Sequence, residues 1–201
     1  VMVEDGKFIK SKTTIGLVEG SAQDILSKER VMLNLLQRLC GISSITNEYA
    51  SIAHPYNVKI LDTRKTTPGL RLFEKYAVSV GGAFNHRLNL SDGILIKDNH
   101  IIAAGSIKRA IKLIKMKNKH NMPIEVEVDT IDQINDSLEI GVEGFLLDNM
   151  DIDTVKNCVS LIRKSKNGQN IFIEASGGIT KQNISDYLTT GINAISIGAL
   201  T

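Results

Sequence analysis

The sequence predicts an α/β fold with parallel strands, and three observations lead there. From Val58 onward, short β-branched runs alternate with longer amphipathic runs, the order expected of βα units. Gly141 and Gly191 each close an amphipathic run just before the next apolar run, as helix stops do. Residue types that grip anions gather where the apolar runs end, which is where open α/β sheets and (β/α) barrels carry their ligands. About six or seven units are visible, fewer than the eight of a full barrel, so the expectation is an irregular or incomplete (β/α) barrel. A doubly wound open sheet has the same periodicity.

The strand segments are Val58 to Leu61, Gly93 to Lys97, Ile124 to Val128, Gly144 to Leu147, Asn170 to Glu174 and Ala194 to Ile197. Between them, the helix from Ser106 places Ile107, Ala110, Ile111 and Ile114 on one face, ringed by Lys108, Lys112, Lys115, Lys117 and Lys119. Those lysines read as a solvated helix face rather than a polyanion patch. Thr130, Asp151 and Thr180 are suited to cap three further helices. Ahead of this region, Val1 to Leu17 reads as short-stranded and basic, and Ser21 to about Ala53 as one long helix. Ile25, Met32, Leu33, Leu36, Leu39 and Cys40 lie along its apolar side, with Val31 and Leu35 spilling round it. A helix apolar over so much of its circumference is buried between layers or at a subunit interface.

Composition narrows the function. Hydrophobic residues at 42% with charged residues at 23% describe an ordinary globular chain, and aromatics at 4% leave the core to Ile, Leu and Val. With 24 basic and 22 acidic residues the net charge is only +2, so any anion site is local and nucleic acid is not the expected partner. Cys40 and Cys158 have no metal-binding or disulfide spacing, which fits a reducing, cytoplasmic setting. No apolar run reaches the roughly 18 to 20 residues of a membrane span, and the first residues do not read as a signal peptide.

Five features at strand ends could carry chemistry. Thr63-Arg64-Lys65-Thr66-Thr67 places two cations after the first strand, as a phosphate or carboxylate grip or as a basic turn. His86 and Arg87 follow a Gly81-Gly82 turn. Lys97 ends an apolar run, where an ammonium is costly to bury without an anion. Alternation in Ile124 to Asp129 sets Glu125, Glu127 and Asp129 on one face, and Asp148 ends the neighbouring strand. These acids suit either an internal ion-pair network or a hard cation such as Mg²⁺, held by Glu127 and Asp148. Finally, Ser176-Gly177-Gly178 and Gly198 follow two successive late strands, where backbone N–H groups can approach a phosphate, although turns use the same residues.

The motifs as an ordered set resemble the quinolinate phosphoribosyltransferase family, the nicotinate-nucleotide pyrophosphorylases. The resemblance covers nearly the whole chain. It runs through Glu29-Arg30, Asp62 to Arg71, His86 to Asp92, Ile96 to His100, Glu125 to Asp129, Leu147-Asp148-Asn149, Glu174 to Ile179 and Ser196 to Thr201. It implies transfer of a phosphoribosyl group from phosphoribosyl pyrophosphate to quinolinate, with loss of CO₂, giving nicotinate mononucleotide and pyrophosphate for NAD synthesis. It implies that Arg64, His86, Arg87 and Lys97 bind the quinolinate carboxylates, with Thr63 and Lys65 nearby. Arg30 would enter the other subunit's site in a homodimer or larger homo-oligomer. Glu127 and Asp148 would hold Mg²⁺ and the ribose end, and Ser176, Gly177, Gly178 and Gly198 would cradle the 5′-phosphate. Lys65, Lys97, Glu127 and Asp148 are the catalytic set on this reading. Residues 1–20 would then be the remnant of an amino-terminal α/β domain, 21–57 a connecting and interface helix, and 58–201 the barrel.

Family members extend further at both ends, with a His-bearing segment beyond Thr201, so the resemblance implies a fragment or omitted ends. An inactive anion-binding or dimerising fragment, or a phosphoribosyltransferase with another acceptor, fits the same residues. The four carboxylate donors weigh against the latter, since a monocarboxylate would not require so many.

Overall fold

The structure, a computed structural model, describes residues 1–201. Its elements are α1 (Ala22–Ala53), β1 (Lys59–Leu61), α2 (Arg71–Val80), β2 (Ile94–Ile96), α3 (Asp98–Ala104) and α4 (Ile107–Lys117). They continue with β3 (Ile124–Val128), α5 (Ile131–Ile140), β4 (Gly144–Asp148), α6 (Ile152–Lys164), β5 (Phe172–Ser176), α7 (Ile184–Leu188) and β6 (Ala194–Ser196). No helix is long and apolar enough to cross a membrane.

All six strands pair in parallel, in the order β1, β6, β5, β4, β3, β2. Phe84 adds a single parallel bridge to the free edge of β1, and the ladder is open between Phe84 and β2. The class is α/β with parallel strands, as expected. Register explains the division of labour between faces. Val126, Phe145 and Ile173 pair across neighbouring strands, as do Ala175 and Ile195 one layer on, and all point outward, where helices leave them at most 1% exposed. The opposite face carries Glu127, Leu146 and Glu174 in one layer, then Asp148, Ser176 and Ser196 in the next. Strand alternation thus sends the apolar half to the helices and the polar half inside.

Local signals set the helices. Ser21, Ser106, Thr130 and Asp151 cap α1, α4, α5 and α6 by accepting from the N–H three residues on. Gly141 stops α5 at φ +83°, which a side chain would strain. The last helix begins four residues later than Thr180, at Ile184, because Asn183 accepts from Thr180 N and closes a turn there. Lys108 bridges Asp136 at 3.0 Å and Glu139 at 2.7 Å on α5, so it ties two helices together.

Two expectations need correction. Val1 to Leu17 contains no strand; it folds back with Met2 N donating to Ile15 O at 2.9 Å, and one bond does not make a ladder. The apolar side of α1 is not buried within this chain. Val31 and Met32 are 63% and 45% exposed, and the buried part is the later stripe of Ile42, Thr46, Tyr49 and Ala53 on α2 and β1.

The α1–α2 contact depends on Gly81, where an added Cβ would stand 2.6 Å from Ser43 O and 2.7 Å from Thr46 Cβ. Gly81→Ala is therefore expected to lower stability by about 1 to 3 kcal/mol through overpacking. An unchanged unfolding midpoint would contradict this packing argument.

Candidate functional site

Loops at the carboxyl ends of the strands surround a cavity of about 730 Å³. It is lined by Thr63, Arg64, Lys65, His86, Arg87, Lys97, Glu127, Asp148, Ser176, Gly177, Gly178 and Gly198, and also by Asn149, Glu174, Thr180 and Ser196. Every site residue read from the sequence is thus brought together except Arg30, which is exposed on α1 and lines no part of the cavity.

On the cationic wall, neither Arg64 nor Arg87 forms an ion pair with a carboxylate. Arg64 Nε is buried without a hydrogen-bond partner. Arg87 donates to Gly93 O at 3.0 Å, and burial followed by the like charge of Arg64 pushes its pKa down. Two arginines that raise each other's energy in one cavity are arranged for an anion to come between them. Lys97 donates to Glu127 Oε2 at 2.5 Å, and His100 Nδ1 accepts from Lys97 N at 2.9 Å, fixing the start of α3.

The glycines form the opposite end. Gly177 has φ +94°, and a Cβ there would lie 2.2 Å from Asn149 Oδ1, so backbone geometry and space both require glycine. At Gly178, which lines the cavity, φ is +62° and nothing lies within 4 Å of a Cβ built there. Gly198 stands beside Lys65 and Thr63, whose side chains come within 3.5 and 3.8 Å of a Cβ built there. Thr201 Oγ1 donates to Lys65 O at 3.1 Å.

The acidic face departs from expectation in one respect: Asp129 lies past the end of β3, exposed, because the alternation stops where the strand does. Two acids of that segment face inward, not three. Glu127 is bound by Lys97, whereas Asp148 accepts only from its neighbour Asn149 at 2.9 Å.

Glu174, read from the sequence only as part of a strand, is the buried centre of the site. It is 1% exposed, and neither carboxylate oxygen has a hydrogen-bond partner. Burial, then the like charge of Glu125, raises its pKa to about 7. Strict alternation from Phe172 would have placed Glu174 on the same face as Ser176, but its depth depends on the neighbouring strands. His86 Nε2 lies 3.5 Å from Glu174 and 3.7 Å from Glu125, which draw the His86 pKa upward. These three groups come within 4.8 Å of one another, close enough for a cation. His86 Nδ1, however, accepts from Arg87 N at 2.7 Å, so Nε2 carries the proton and is a donor rather than a ligand.

Fold and cavity together define an α/β enzyme of the anion-handling kind, with a cationic wall at one end of the cavity and a glycine-lined end opposite. The sequence profiles described as quinolinate phosphoribosyl transferase, N-terminal domain and C-terminal domain, match residues 1–40 and 42–201. The chain belongs to the quinolinate phosphoribosyltransferase family of pentosyltransferases. It is 45% identical over 198 residues to the probable nicotinate-nucleotide pyrophosphorylase [carboxylating] of Bacillus subtilis, covering 98% of this chain and 67% of that one. The crystal structure of NadC from Streptococcus pyogenes superposes with a TM-score of 0.85 at 41% identity, over 99% of this chain and 68% of that one. The nicotinate-nucleotide pyrophosphorylase of Ehrlichia chaffeensis gives 0.82 at 43%, over 88% and 62%. The chain therefore spans about two thirds of the length of these relatives.

Because Glu174 protonates more readily folded than unfolded, it stabilises the fold below its ordinary value of 4.5, and that contribution is lost as pH rises to about 7. Denaturant unfolding at pH 5 and pH 7 is expected to show wild-type stability falling with pH by about 2 kcal/mol more than in Glu174→Gln. Equal pH dependence in the two proteins would refute the assignment.

Proposed function

We propose that this chain binds quinolinate and phosphoribosyl pyrophosphate and joins them with decarboxylation, releasing pyrophosphate, CO₂ and nicotinate mononucleotide for NAD synthesis. Family membership supports this, and the observation that carries the choice of acceptor is the unpaired Arg64 and Arg87 facing one cavity. An acceptor with two carboxylates offsets both, and a single one leaves a buried cation unmatched. Lys97 approaches the same anion from the end of β2, while His86 keeps its own donor turned to Glu125 and Glu174. Thr63 and Lys65 lie between this wall and the glycines, where the pyrophosphate and sugar would meet the pyridine ring.

Glu127 and Asp148 are hard oxygen donors at the cavity, one held by Lys97 and one without a cation, and they fit a Mg²⁺ that takes its remaining ligands from a diphosphate. Bound there, Mg²⁺ would supply positive charge against the departing pyrophosphate. The remaining work belongs to the chain. Ser176, Gly177, Gly178 and Gly198 seat the 5′-phosphate, and the cationic wall orients the ring nitrogen toward the ribose. Once the nitrogen is bonded to carbon the ring is cationic, which stabilises the carbanion left by CO₂ until it takes a proton from solvent water, so neither a covalent nucleophile nor a general base is required.

The exposed apolar part of α1, with Arg30 on it, suits a subunit interface that would deliver Arg30 to a neighbouring site, making the assembly a homodimer or a multiple of one. Cys40 and Cys158 are both free, in keeping with a cytoplasmic setting.

Purified protein given quinolinate, phosphoribosyl pyrophosphate and Mg²⁺ is expected to release pyrophosphate and nicotinate mononucleotide; no release would end this proposal. Arg64→Ala should cost about 2 to 5 kcal/mol in kcat/KM for quinolinate, roughly 30-fold or more. Nicotinate should bind much more weakly than quinolinate, and equal binding would instead point to a different acceptor.

A further inference from the structure

We propose, resting on the dicarboxylate reading above, that one face of α2 is a positioning device in which Arg71, Glu74 and Lys75 hold the two cation-bearing loops at the spacing that grips the acceptor. These residues stand at i, i+3 and i+4, so they share a side of the helix. None lines the cavity. Each is bonded to a loop that does.

Glu74 is 0% exposed and Lys75 3%, depths at which an unmatched charge costs several kcal/mol. Both are fully matched, Glu74 by Arg38 of α1 and the Thr67 amide, Lys75 by Asp62 and His86 of the loops. Glu74 Oε2 accepts from Thr67 N at 2.9 Å, while Oε1 accepts from Arg38 Nε at 2.6 Å, and Arg38 also donates to Thr67 Oγ1 at 2.8 Å. The loop that carries Arg64 and Lys65 is thereby tied to α2 and α1. Lys75 donates to Asp62 Oδ1 at 2.5 Å and to His86 O at 2.9 Å, and the same Asp62 oxygen accepts from His86 N at 2.7 Å. Both backbone polar groups of His86 are therefore held by one buried ion pair. Arg71 spans the two loops, donating to Thr66 Oγ1 at 3.0 Å, to Arg64 O at 3.3 Å and to Leu88 O at 3.4 Å.

Stability does not account for this arrangement. Apolar residues of similar volume would pack α2 against the sheet as well or better, since buried ion pairs rarely beat hydrophobic replacements. Directional, charge-assisted bonds do what apolar packing cannot: they fix where two flexible loops stand relative to each other. Arg64 and Arg87 repel, and without such ties the loops would relax apart and lose the spacing that two carboxylates require.

The test uses the purified protein and the charge-free pair Asp62→Leu with Lys75→Met, which leaves no buried charge unmatched and is expected to melt close to the wild type. Its KM for quinolinate should rise at least about tenfold while kcat at saturation stays within about threefold, and exchange protection of the His86 amide should be lost. Arg71→Met, at a half-buried position that the fold tolerates, should raise the quinolinate KM about threefold or more and serves if the double variant fails to fold. Wild-type KM in either folded variant, or a His86 amide still protected in the double variant, would overturn the proposal. A wild-type protein without turnover would instead overturn the acceptor reading, and amide exchange would still decide whether the ion pair holds the loop.

Discussion

Charge held on the inner face of a parallel sheet, away from bulk water, is the constraint on which the remaining structure depends. Helices cover the outer face so completely that Phe145, Ile173 and Ile195 are 0% exposed, and every polar side chain of the strands must therefore turn inward. There, carboxylates and cations cannot be left alone: Lys97 takes Glu127, and His86 faces Glu125 and Glu174. What is left over defines the chemistry. Arg64, Lys65 and Arg87 line the cavity as cations without carboxylate partners and Asp148 as an acid without a cation, and the ligand expected at such a cavity carries the complementary charges.

The same constraint gives Glu174 its character. A carboxyl at 1% exposure beside a second carboxyl cannot stay ionised at the usual pH, so it holds a proton near neutrality and lowers the negative charge that an incoming dicarboxylate would meet. His86 works toward the same end, with its N–H directed at the two acids instead of standing free. Had all three inner acids been ionised, the cationic wall would have been partly cancelled before any substrate arrived.

Much of this was legible in the sequence, for reasons that differ between elements. Parallel strands buried on the outer face are short and β-branched, and β3 was bounded correctly because Glu125 and Glu127 alternate with Val126 and Val128. Capping residues act within four positions of themselves, which is why Thr130 and Asp151 could be read directly, whereas Thr180 closes a turn with Asn183 instead of capping the last helix. The residues that line the cavity could be picked out because they stand at strand ends and keep a family order. What stayed hidden is tertiary. The burial of Glu174, Asp62 and Glu74 is made by neighbours far away in sequence, and the first of these looked like any strand residue. The error over residues 1–17 is of the same kind, since β-like composition without a partner ladder leaves an extended turn.

The long helix α1 joins these themes. Its later half is core, packed on α2, and its earlier half exposes Leu26, Val31 and Met32, a surface with no use in an isolated chain. Arg38 lies between the two halves and bonds both Glu74 and Thr67, so the helix that offers an apolar face to a neighbour also holds the loop bearing Arg64. If that face is covered by a second copy, association does more than deliver Arg30. It immobilises the helix from which the substrate loop is suspended, and the loop's position becomes a property of the assembly as well as of the single fold.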